Sequence, residues 1–365
     1  MTATERPGSH PVELVGRGVA GAAAAPGPRR GGVRGRERQR AVVVSVALAG
    51  LTFAVFCISV SVGDFSVPLA DVVPAIFGFG SSSTEFIVQT LRLPRALAAV
   101  LVGAAFGLSG SVFQSVAHNP LASPDIIGIT AGASAGAVVV IVITGGSSAT
   151  VALAALGGAL AVTLAVYVLA WRKGLTPYRL VLVGVGLGEL LLAVIAWMLT
   201  RAQVADAQRA TVWLTGSLNG RSWAHVRPLM VALLVLVPLL LALSRPLRLL
   251  QLGDDTASGL GIRVERSRIA LITVAVGLVG VGTATAGPIA FVAFLSGPIA
   301  RRLVRSPVTL IPSALVGALV VVTADLAARR LFAPSEVPVG VLTAVIGAPY
   351  LLWLLARANR TGRGA

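Results

Sequence analysis

The chain is crossed from end to end by apolar runs close to twenty residues long, and this limits its fold more than any other feature. About ten such runs fall near 41–62, 95–117, 126–144, 149–170, 180–200, 228–244, 268–284, 288–300, 309–327 and 338–356. Roughly 20 apolar residues cross the hydrocarbon core of a bilayer as an α-helix. Within that core only helices and closed barrels satisfy their own backbone hydrogen bonds. The runs are too long and too uniform for the alternating pattern of barrel strands. The expected fold is an all-α polytopic membrane protein of about ten transmembrane helices. Pro288 and Pro298 interrupt the short eighth run, which predicts a broken helix or one packed inside the bundle. Composition agrees: 12% of the residues are charged, against about 25% in a soluble domain.

The net charge of +16 raises the question of a nucleic-acid partner. Its distribution points elsewhere. Residues 1–40 carry Arg6, Arg17, Arg29, Arg30, Arg34, Arg36, Arg38 and Arg40 in a stretch rich in Gly, Ala and Pro, with no apolar period. Such a segment cannot bury enough apolar surface to fold. We expect 1–40 to be a disordered basic cytoplasmic tail that touches anionic lipid and no nucleic acid. We expect 41–357 to be the membrane domain and 358–365 a second cytoplasmic tail. The run from Ala41 to Val62 is too long for a signal-peptide core and is read as a retained first span.

The positive-inside rule tests this layout. With the N-terminus inside, the cytoplasmic stretches are 1–40, 118–125, 171–179, 245–267, 301–308 and 357–365. They and the adjoining Arg268 hold 22 of the 30 Lys and Arg residues. The other eight are Arg92, Arg95, Arg201, Arg209, Arg221, Arg227, Arg329 and Arg330. Both termini are therefore expected inside a cytoplasmic membrane. Glycines four apart (Gly103 and Gly107, Gly128 and Gly132, Gly132 and Gly136, Gly184 and Gly188) share a helix face and predict close helix contacts.

Several chemistries are absent. Cys57 stands alone, and His10, His118 and His225 lie far apart, so neither a disulfide nor a metal site is expected. A phosphate-binding loop needs G-x-x-x-x-G-K-[ST]. The single lysine, Lys173, has no such setting in Trp171-Arg172-Lys173-Gly174. No HExxH occurs. The chain is expected to be neither an enzyme nor a cofactor carrier, and any ATP hydrolysis would belong to a partner. Glu189 lies mid-span, where a carboxylate costs about 2.5–3.5 kcal/mol on insertion scales, so it should face a cavity or another helix. It also keeps an ion-coupled secondary transporter as an alternative.

The polar stretches between the runs form an ordered series. It opens with Leu91-Arg92-Leu93-Pro94-Arg95, Gly103, Leu108-Ser109-Gly110, Gln114 and Asn119-Pro120-Leu121-Ala122-Ser123-Pro124-Asp125. It continues through Leu252-Gly253-Asp254, Ala257 and Leu260-Gly261, then Gly287-Pro288-Ile289-Ala290-Phe291-Val292. It ends with Ala324-Asp325, Arg329, Glu336-Val337-Pro338-Val339-Gly340 and Gly347-Ala348-Pro349. In order and spacing over 41–357 this resembles the FecCD family of ABC importer permeases, which carry iron-siderophores, haem or vitamin B12.

The resemblance implies a type II importer permease of ten helices, dimerised with itself or a related permease around a central pathway. It implies two further partners, a separate ABC ATPase subunit and an extracytoplasmic substrate-binding protein. Arg92, Arg95 and Arg329 match arginines that receive glutamates of that binding protein. Within 245–267, Leu252, Gly253, Asp254, Ala257, Leu260 and Gly261 match the segment that presses into the ATPase. Glu189, Gln114 and Asn119 are candidates for pathway or packing roles. Trp213-Leu214-Thr215-Gly216-Ser217-Leu218 and Ala300-Arg301-Arg302-Leu303 look more like siderophore members than vitamin B12 members. The expected substrate is a ferric siderophore, with vitamin B12 or haem as the alternative within the family. The chain departs from the family in lacking a Pro-His pair after Phe291-Val292 and in carrying Glu189 where relatives have small or apolar residues.

Overall fold

Each of the ten apolar runs coincides with a helix in the computed structural model, which describes residues 30–63, 67–76, 78–171, 177–332 and 336–361. Residues 1–29 of the expected tail, Lys173 and the end of the second tail lie outside the described residues. The helices are α1 (Arg30–Ser61), α2 (Leu69–Ile76), α3 (Ser82–Phe86), α4 (Leu93–Val116), α5 (Ile129–Thr144), α6 (Ser148–Ala170), α7 (Pro177–Arg201) and α8 (Val204–Leu214). They continue as α9 (Trp223–Ala242), α10 (Ser244–Leu250), α11 (Asp254–Gly259), α12 (Val264–Ala286), α13 (Val292–Val304), α14 (Leu310–Arg330) and α15 (Val339–Thr361). α1 therefore begins at Arg30, inside the stretch expected as tail. Among the described residues seven helical segments are long and apolar enough to cross a membrane, while α5 and α15 carry shorter apolar stretches.

Burial orders the helices. In the continuous run from Ser82 to Val116, 78% of the apolar window is buried, against 6% for α1. α4 is therefore the central post, and α1 leans on the rim. Small residues allow this packing, since association within a bilayer depends on close backbone approach. A Cβ added to Gly103 would strike the Gly317 carbonyl, and one added to Gly317 would strike the Gly103 carbonyl. Gly132 and Gly158 give the same reciprocal fit between α5 and α6. Gly184 and Gly188 of α7 lie against the backbone of Ile127 and Gly128. The glycine pairs thus pack helices within this chain.

Proline sets the break near the eighth run. Residues 287–291 are non-helical between α12 and α13, with Gly287 at φ +76° and Phe291 at φ +66°. The backbone N–H of Ser217 donates to the Ala286 carbonyl at 2.8 Å, which satisfies an end of α12. Inside α13, Pro298 has no N–H to offer the carbonyl of Phe294, four residues earlier. The side-chain amide of Gln114 supplies that donor at 2.9 Å. Its carbonyl accepts from Arg301 Nη2 at 2.7 Å. Gly297 leaves the room for it, because a Cβ there would overlap Gln114.

α4 spans about 36 Å at 1.5 Å per residue, and a distinct polar cluster sits at each of its ends. At its start gather residues 59–63, 87–95, 219–222, 329–330 and Glu336. At its finish lie residues 115–118, 250–251 and 301. Arg40 donates to the Leu303 carbonyl at 2.8 Å, which brings the start of the first span to this second end. These are the two groups of segments that the charge distribution separates.

Candidate functional site

The first end is built on an irregular opening to α4. Residues Ile87–Arg92 form a π-helical turn directly before it, and Pro94 lies in the first turn of α4. Such turns recur at functional sites because they re-aim side chains. Trp223 Nε1 donates to the Gln89 carbonyl inside this turn at 2.8 Å, tying it to the start of α9. The turn directs Arg92 to the end of α1, where Nη1 donates to the carbonyls of Val60 (3.0 Å) and Ser61 (2.8 Å). Arg329 reaches Ser59, and Arg330 the Gly63 carbonyl at 3.0 Å. Arg92 and Arg329 thus engage the carbonyls of the last turn of a rim helix and Arg330 the chain just beyond it, where cations also complement the helix dipole.

Arg95 and Arg329 share a buried carboxylate. Asp325 is 1% exposed, 3.0 Å from Arg95 Nη2 and 3.2 Å from Arg329 Nε. Arg95 also pairs with the exposed Glu336 at 3.2 Å. The arginines singled out in the sequence as docking groups are therefore brought together, and each is already engaged within the chain. The sequence reading did not give Asp325 this role. The signal was present: Asp325 and Arg329 are four residues apart on one helix, a spacing that places side chains together. Arg92, Arg95, Arg221, Arg329, Arg330 and Glu336 line a cavity of about 880 Å³.

The second end carries the expected coupling segment. α10 stops at Leu250, and Gly253 turns the chain into α11 with φ +96°. Gly261, at φ +81°, turns it again toward α12. These are conformations that L-residues resist, although open space surrounds both glycines. Leu252 is 58% and Leu260 56% exposed, one at each end of α11, while Ala257 between them is fully buried. Asp254 pairs with Arg268 of α12 at 2.8 Å. His118 Nε2 lies 3.0 Å from the Leu250 carbonyl, and Gln251 donates to the Ser115 carbonyl. So Ala257 and Asp254 anchor the segment, its leucines project from it, and His118 and Ser115 bind it to the foot of α4.

Between the ends, a cavity of about 940 Å³ opens among α5, α7, α15 and the break before α13. Its wall is mainly apolar, with Ser123, Asp125, Thr130, Ser134 and Thr215 as polar points. Burial raises the Asp125 carboxyl above the ordinary carboxylate pKa, and the hydroxyl of Thr130, which donates to Oδ1 at 2.5 Å, opposes that rise. Glu189 is exposed on α7, one turn from Leu192, which lines this cavity. Gln114 is buried and serves the α4–α13 contact, so of its two candidate roles the geometry favours packing. Asn119 is a turn residue, its Oδ1 accepting from the Leu121 backbone N–H at 2.9 Å.

Comparison with known proteins bears on the whole membrane region. Residues 51–357 match the model of the FecCD transport family. The chain is 41% identical over 299 residues to the ferric enterobactin transport system permease protein FepG of Escherichia coli (strain K12), covering 82% of this chain and 91% of that one. It is 42% identical to the achromobactin transport system permease protein CbrC of Dickeya dadantii (strain 3937), covering 86% of this chain and 91% of the relative. Among solved structures, a metal-chelate type ABC transporter in an inward-facing conformation aligns with a TM-score of 0.78 at 28% identity, covering 86% of this chain and 99% of that one.

Proposed function

This chain belongs to the FecCD transport family, and from that premise we propose that it is the permease subunit of an ATP-binding cassette importer carrying a ferric siderophore across the cytoplasmic membrane. The observation that carries the substrate is the identity of about 40% over most of the chain with permeases named for ferric enterobactin and achromobactin. The substrate is cargo, and no bond of it is made or broken by this subunit.

The two ends divide the work. Both termini and the 245–267 segment lie on the cytoplasmic side in this reading, where an ABC ATPase subunit receives Leu252 and Leu260. Exposed leucines flanking a short helix between two glycine turns suit insertion into an apolar groove. The arginine end faces outward and receives the substrate-binding protein, with Arg92, Arg95 and Arg329 on its docking surface. Positive potential there steers an acidic partner and sets its orientation more than it adds affinity. A second permease subunit, identical or related, covers the α7 face. Glu189 supports this, since a mid-span carboxylate pointing into lipid is disfavoured while one facing a water-filled path between subunits is not.

Uptake of radio-iron by whole cells with and without the gene tests the reading, with several ferric siderophores supplied in parallel to labelled vitamin B12 and haem. Loss of one ferric siderophore alone is the expected result. Loss of vitamin B12 or haem with intact ferric siderophore uptake would refute the substrate. Transport that survives loss of ATP but stops when the proton gradient is dissipated would instead favour an ion-coupled carrier.

A further inference from the structure

Arg221 stands in the same cavity as Arg92, Arg95, Arg329 and Arg330 but in a different electrostatic position. Arg95 and Arg329 share Asp325, and Arg95 also meets Glu336. Arg221 is partly buried, and its bond within the chain runs from Nε to the Ser217 carbonyl at 3.3 Å. Among the described residues no carboxylate lies within ion-pair distance of it. Burial lowers its pKa from the ordinary arginine value, and no acidic group opposes the shift. A guanidinium stays charged even so and has five N–H donors to place. Among the described residues the one hydrogen bond of this guanidinium uses a single donor, Nε.

The loop that carries it is held in advance. Gly216 and Gly220 turn it at φ +69° and +67°. Ser222 and His225 form a capping box at the start of α9, and His225 Nε2 lies 2.8 Å from the Ser148 hydroxyl. Trp223 ties the loop to the π-helical turn that aims Arg92. Little loop freedom remains to be lost when a ligand arrives. Arg221 also borders a second depression, of about 980 Å³, against α8, so the group is reachable from two sides of one ridge. Neither space shares a lining residue with the apolar cavity between the helices. A carboxylate held here lies outside that cavity, at the arginine end where the binding protein docks in the proposed reading.

We propose that Arg221 is a further docking residue, which receives a carboxylate side chain of the extracytoplasmic binding protein in a bidentate pair. The inference rests on the reading that this end docks such a protein. It adds to the docking surface an arginine outside the 91–95 motif, since Arg95 and Arg329 already share a carboxylate within the chain.

The test uses the intact transporter in lipid nanodiscs, titrated with its iron-free binding protein so that no chelate contributes. Arg221→Glu should weaken binding by about 30-fold, Arg221→Gln by about tenfold, and Arg221→Lys by less than either, in keeping with loss of a desolvated charge pair. Arg221→Gln keeps a donor for Ser217, so it guards against a folding defect. An Arg introduced for one Glu on the binding protein should restore binding to Arg221→Glu. Unchanged affinity in the Glu and Gln variants, while reversal of Arg92 and Arg95 together weakens binding, would overturn the role of Arg221 and leave the docking reading intact. If neither set weakens binding, the docking reading itself fails. A raised KM for the ferric chelate with unchanged affinity for the iron-free protein would make Arg221 a cargo contact and refute the proposal.

Discussion

The two ends of α4 hold the two motifs that the sequence marks most clearly, and they treat their residues in opposite ways. At the arginine end, Arg92, Arg95 and Arg329 are tied inward to helix carbonyls and to a carboxylate that is 1% exposed. At the other end, Leu252 and Leu260 project with more than half of their surface uncovered, held by Ala257 and Asp254 beneath them. Charge taken from water must be paired where it sits, because an isolated buried ion is strongly disfavoured. Apolar side chains can wait for a partner at a modest cost in exposed surface. The arginines outnumber the two carboxylates paired with them, Asp325 and Glu336, so this end keeps a positive balance that would steer an acidic partner at long range, whereas an exposed apolar pair becomes stable by being covered.

The comparison breaks most visibly at Asp325. Asp325→Ala leaves Arg95 and Arg329 facing each other without their shared counter-charge, and should lower stability by about 3–5 kcal/mol. Thermal unfolding of the detergent-solubilised protein measures this, and a shift within error of wild type would mean that the network is not holding the end together. At the exposed end the expected effect is on association. Leu252→Asp with Leu260→Asp should leave unfolding nearly unchanged, since exposed substitutions usually stay within about 0.5 kcal/mol. The same pair should weaken ATPase binding by about 2 kcal/mol or more, or roughly 30-fold, as loss of apolar anchors does. Normal ATPase co-purification would remove the segment from the interface.

A smaller effect sharpens the contrast from within the second end. Gln114→Ala deprives the Phe294 carbonyl of its donor beside Pro298 and leaves Arg301 without its acceptor. The cost should be about 1–3 kcal/mol, the range for stranding buried polar groups. Restoring a backbone donor with Pro298→Ala in the Gln114→Ala background should recover part of it. If the second change recovers nothing, the proline is not the reason for the glutamine.

Particular residues show how far the sequence could be read. The ten apolar runs and the proline break were legible, since run length and proline chemistry act locally. The likeness to the FecCD transport family was legible in Asn119-Pro120-Leu121-Ala122 and the other spaced stretches. The role of Asp325 was half legible, in its spacing from Arg329. Its pairing with Arg95, 230 positions away in the chain, was not. The purpose of Gln114 was hidden as well, since its partners lie on α13 and its need arises from Pro298.

By itself the sequence determined that this is a bundle of membrane helices, because a backbone in hydrocarbon must close its own hydrogen bonds and a run of about twenty apolar residues does so as a helix. It also determined which segments share an end, through the uneven placement of arginine. The tertiary structure alone decided which arginines are already neutralised and which, like Arg221, have no carboxylate partner among the described residues. That outcome depends on distances of about 3 Å between side chains on different helices, which are set by how glycine lets α4 and α14 close on each other and by where a π-helical turn aims Arg92. Local propensity encodes neither.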